Sequence, residues 1–103
     1  MKKDKFPKQP NRQQVYSIYK DLEIPINDAT DFYVSDIFKY LPHEITYEGL
    51  RGDLSVTPYD IAYWSIDGIW KHQLVYCAPI NDGEDVYDAF IKMGKFLKEN
   101  NLM

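Results

Sequence analysis

A chain of 103 residues has room for one domain, and its 45% hydrophobic and 16% aromatic content is too rich in apolar surface for a disordered polymer. No apolar stretch approaches the roughly 20 residues that span a bilayer, the basic opening MKKDKFPKQP has no apolar core behind it, and Cys77 stands alone. No membrane span, secretory signal or internal disulfide is therefore expected, and a soluble protein of the reducing cytoplasm is. The net charge of −4 is unevenly divided: residues 1–20 carry six basic side chains against Asp4, net +5, and residues 21–103 carry six against fifteen acidic ones, net −9.

Residues 1–10, with Pro7, Pro10 and four lysines, have no face to bury and are expected as a flexible basic tail ahead of a single domain over 11–103. The first helix follows at once. Asn11 is placed to cap it, Gln14 completes a capping box, and Val15, Ile18, Tyr19 and Leu22 recur at helical spacing until Pro25. A second helix is expected within INDATDFYVSDIFKYLP, capped by Asn27, Asp28 or Thr30, with Val34, Ile37, Phe38 and Leu41 on one side and Pro42 closing it. Phe32, Tyr33 and Val34 are good strand formers as well. EITYEGL then reads as an edge strand and DLSVT as a short one broken by Pro58, with residues 43–54 either pairing into the sheet or covering Trp64.

The stretch DIAYWSIDGIWKHQLVYCAP holds both tryptophans, His72 and the cysteine. Asp67 and Gly68 suit a two-residue hairpin turn, which would pair Ile66 with Ile69, Trp64 with Lys71, Tyr63 with His72 and Ile61 with Leu74. Alternation then collects Tyr59, Ile61, Tyr63, Ser65, Trp70, His72, Leu74 and Tyr76 on one face, the predicted core. Ala62, Trp64, Ile66, Ile69, Lys71, Gln73, Val75 and Cys77 fall on the other. In the last helix Asn81 or Asp82 caps, acidic residues crowd the start, and Lys92, Lys95 and Lys98 crowd the end, as the helix dipole favours. Its apolar stripe is Val86, Ala89, Phe90, Met93 and Leu97. The fold class that results is α+β in two layers: a short antiparallel sheet of three to four strands with helices packed on one face.

Trp64 is apolar surface that this core does not need. With Ile66, Ile69 and Lys71 it forms the candidate partner-binding face, because exposed contiguous apolar groups and tryptophan in particular mark interfaces. A second candidate is a pocket between sheet and helices lined by Tyr63, Trp70, His72 and Tyr76, where His72 facing Tyr63 reads equally as a hydrogen-bonded core pair. No catalytic residue, metal or cofactor is expected. His72 and Cys77 point to opposite faces of one strand, the serines lack a nucleophile elbow, and the glycines form no phosphate loop. RGD at 51–53 is a chance tripeptide, and the acidic body disfavours nucleic acid, leaving only the basic tail to attract it.

The stretch from Tyr59 to Leu97, a hairpin ending in HQLVYCAP followed by GEDVYDAFIKMGKFL, resembles the end of small uncharacterised proteins carried by bacterial phages, prophages and mobile elements. Asp85, Tyr87, Ala89 and Ile91 carry the match. The resemblance implies an intracellular bacterial accessory protein without catalytic residues. The function expected is thus a non-enzymatic interaction or regulatory module that binds another protein or a second copy of itself; the alternative is a small-molecule-binding domain or small enzyme using the pocket.

Overall fold

Capping side chains set where the longer helices begin. In the computed structural model, which describes residues 4–66 and 73–103, the elements in chain order are α1 (Arg12–Lys20), α2 (Ile26–Thr30), α3 (Val34–Tyr40), β1 (Glu44–Tyr47), β2 (Leu50–Val56), β3 (Asp60–Ser65), β4 (Leu74–Pro79) and α4 (Val86–Glu99). The Gln14 amide donates to the Asn11 side chain, and the Asn11 amide donates back to Gln14, the predicted capping box of α1. At α4 the cap is Asp85, three or four residues beyond the Asn81 or Asp82 expected. Its carboxylate accepts from the Tyr87 and Asp88 amides and also from Gln14 Nε2 at 2.8 Å, so one buried acceptor ties α1 to the head of α4.

That tie also turns α1. Gln14 is buried, while Tyr19, expected on the apolar stripe, faces solvent. The stretch expected as one second helix is two. Phe32 drops into the core between α2 and α3, where its ring meets those of Tyr40, Tyr87 and Phe90, and the chain restarts as α3 with the Asp36 carboxylate accepting from the Tyr33 amide. Burying that ring contributes about 1.5–3 kcal/mol, which outweighs a few lost helical hydrogen bonds in an exposed turn. Phe38, expected inside, stays exposed.

The described strands form one antiparallel sheet in the order β1-β2-β3-β4. Residues 43–54 therefore pair into the sheet and do not cover Trp64. Glu48 and Gly49 join β1 to β2 with φ of 51° and 80°, the left-handed pair that a tight hairpin requires. Helix α4 packs on β3 and β4, with α1 and α3 against α4, so the helices lie on one side and the class is α+β as expected. The core there joins Ile61, Tyr63 and Ala78 to Phe90, Met93 and Leu97.

The β3–β4 register differs from expectation by four residues. Tyr63 pairs with Tyr76 and Ile61 with Ala78, where a two-residue turn would have given His72 and Leu74. An even shift leaves the face of each residue unchanged, and this one lays the Tyr76 ring flat on Phe96 with centroids 3.4 Å apart. A bulge between the Tyr63 and Trp64 pairings then turns Val75 inward and Leu74 outward, the reverse of both assignments. Tyr59 is not core either. It sits at the β2–β3 turn and is 81% exposed.

Residues 4–8, expected as part of a mobile tail, lie along the head of α4. The Val86 amide donates to Lys5 O, the Tyr87 hydroxyl to Pro7 O and Lys8 O, and Lys5 Nζ to Asn81 O and Glu84 O, while Phe6 packs on the core. The Val86 amide at the head of α4 and the Tyr87 hydroxyl find these acceptors only in this segment.

Candidate functional site

Register places four side chains in a line across the face that the helices leave open. Glu44 is opposite Asp53, Asp53 opposite Trp64, and Trp64 opposite Leu74. Residues directly opposite share a face, and strands lie about 4.8 Å apart, so the row spans roughly 14 Å from β1 to β4. All four are exposed, Trp64 at 39% and Leu74 at 42%. Glu44 is paired with Arg51, Oε1 to Nε 3.3 Å. Asp53 makes no ion pair among the described residues.

Below the row Ala62 is buried between Ser55 and Cys77. The Cys77 thiol donates to Asp60 Oδ2 at 3.3 Å, and Thr57 Oγ1 donates to Asp60 Oδ1 at 3.1 Å. Burial first, and the Asp60 carboxylate next, push the thiol up to about 11. This is a protonated, unreactive cysteine of the kind that packs, as expected for a small apolar side chain.

Of the predicted partner-binding residues, Trp64 is on the open face and Ile66 is half-buried beside it, its amide donating to Arg51 O. Ile69 and Lys71 lie outside the described residues. Leu74 and Asp53 were not expected. The signal for Asp53 is the period of two in LRGDLSV, where Arg51, Asp53 and Ser55 alternate with residues that face inward. Leu74 had no such signal, since the bulge reverses it within an apolar run.

The predicted pocket is reduced to packing at the two members that are described. Tyr63 and Tyr76 are cross-strand neighbours, but Tyr63 is fully buried with its hydroxyl donating to Pro42 O at 2.8 Å, and Tyr76 is stacked on Phe96. Trp70 and His72 lie outside the described residues. An open cleft of about 470 Å³ elsewhere is lined by Tyr16, Tyr19, Lys20, Glu23, Ile24 and Pro25. Lys98 occupies Glu23 at 2.7 Å and holds its carboxyl below the usual range. Lys20 donates to the Tyr16 hydroxyl, and that bond with the adjacent phenol raises its ammonium.

Among the described residues no group of three or more His, Cys, Asp or Glu is placed to hold a metal ion, and no helix is long and apolar enough to cross a membrane. No family model, curated protein or solved structure matches the chain. The functional reading therefore rests on the residues themselves, above all on those of the open face.

Proposed function

We propose that this protein is an interaction module that binds another protein through the open face of its sheet, with Trp64 and Leu74 at the centre and Ile66 at the margin. One observation supports it above others: a tryptophan and a leucine stand side by side, each more than a third exposed, on the face opposite the helices. Exposed neighbours of this kind give up water readily on contact with a partner, and tryptophan supplies much of the energy at such contacts. Val75 and Tyr76, which the same strand turns inward, already fill the core, so nothing in the packing requires Leu74 where it is. The setting would be the cytoplasm of a bacterial cell and the role accessory, as the resemblance over residues 59–97 implies.

The test is affinity capture from lysate of the source cell with tagged wild type and with Trp64→Ser and Leu74→Ser, each shown to be folded by circular dichroism. A partner held by wild type and lost by both variants is the expected outcome. Retention of every wild-type partner by both would end the assignment to this face.

A further inference from the structure

The row on the open face is chemically one-sided. From β1 to β4 it runs carboxylate, carboxylate, indole, isobutyl, and the two inner members are a carboxylate without an ion pair among the described residues and an exposed ring on the adjacent strand. A purely apolar docking site would not place Asp53 there, because any neutral partner covering Trp64 would strip water from a charge and return nothing for it. A guanidinium answers both groups together. Its plane stacks on an indole within about 6 Å of the ring centre, its fork of N–H groups takes a carboxylate, and its methylene stem can lie on an apolar neighbour such as Leu74. About 4.8 Å separates adjacent strands, which is the reach over which one arginine touches an aromatic face and the acid beside it.

The longer-range field has the same sign. On the described strands of this face Glu44, Asp53 and Asp60 stand against one basic side chain, Arg51, which Glu44 already engages. A cationic partner is drawn to this side and an anionic one is turned away. Resting on the interaction-module reading above, we propose that the open face recognises a cationic segment of its partner by seating an arginine on Trp64 and against Asp53. Hydrophobic contact then supplies affinity, while Asp53 selects the charge.

The test uses the full chain, labelled with ¹⁵N, and two acetylated ten-residue peptides at low salt, one of alternating glycine and arginine and one of alternating glycine and glutamate. The arginine peptide should shift the Trp64 indole N–H and the Asp53 and Leu74 amides in a saturable way, and the glutamate peptide should not. Asp53→Asn, an exposed and nearly isosteric change, should weaken the arginine peptide roughly threefold to fivefold, the scale of one partly exposed ion pair. Trp64→Leu should weaken it as well.

Shifts centred on Asp28, Asp31 and Asp36 would overturn the proposal, since a merely acidic surface would then explain the binding. So would equal binding to Asp53→Asn, or a preference for the glutamate peptide. If capture depends on Trp64 and Leu74 while the arginine peptide leaves the row unmoved, the cationic assignment fails and the interaction module stands. If capture is indifferent to both residues, the face itself is wrong.

Discussion

Tyr63 and Tyr87 hold their phenolic protons more tightly than a free tyrosine does. Burial is the first cause for each, raising Tyr87 to about 12, with Asp85 and Asp36 adding to it, and pushing Tyr63 upward. A raised folded value means that the folded state keeps the neutral phenol while the unfolded chain ionises. The stability this carries is whole below the ordinary value of 10 and is lost as pH rises from there through the raised values. The melting temperature should therefore fall steeply above about pH 10. Tyr63→Phe should flatten that fall while costing about 1–2 kcal/mol at neutral pH, because Pro42 O loses its donor. A melting series across alkaline pH for both proteins checks the sign. Residue by residue, the Asn11–Gln14 box was legible because its partners lie three apart. The Asp85 cap had the same three-residue signal in Asp88, whose carboxylate accepts from the Asp85 amide, but Asn81 and Asp82 offered competing caps, and Gln14, which helps to bury Asp85, lies 71 positions away.

Among the elements, β2 shows how a side chain's absence can shape a sheet. Gly52 pairs with Ser65 on the core side, and a Cβ built there would stand 2.8 Å from Val75 Cγ2, 3.2 Å from Tyr63 Cβ and 3.3 Å from Trp64 O. The first of those atoms is the side chain that the β4 bulge turns inward, and the last is backbone that cannot move without breaking a strand pair. Gly52→Ala should cost about 1–3 kcal/mol in urea denaturation, the scale of an overpacked site, and should shift the amides around Trp64 and Leu74. The tripeptide RGD is thus explained by packing and alternation. β1 and β2 were legible only in part: EITYEGL was expected as a single strand, whereas Glu48–Gly49 turns the chain inside it and Leu50 already opens β2. The register of β4 was not legible, because Leu74 to Ala78 is apolar throughout, so nothing in the sequence distinguishes one register from another four residues away.

At the scale of the molecule, the sheet has one side closed by helices and one open, and residues 4–8 strap the closed side at the head of α4. The layer arrangement could be read from the order of periodic segments, but the strap could not. Its lysines and prolines have the composition of a free tail, and it is Lys5 O, Pro7 O and Lys8 O, backbone atoms with no residue signature, that accept from α4. Removing residues 1–10 should cost about 2–4 kcal/mol, from part of the Phe6 burial and the unpaired α4 donors. A free tail would cost nothing in the same denaturation curve. The strap's hydrogen bonds join residues 76 to 81 positions apart, which makes them among the last contacts that a folding chain has reason to form. Its contribution is therefore to lifetime: stopped-flow kinetics should find the truncated protein folding at nearly the wild-type rate and unfolding many times faster, so that the strap acts as a latch on a sheet already assembled.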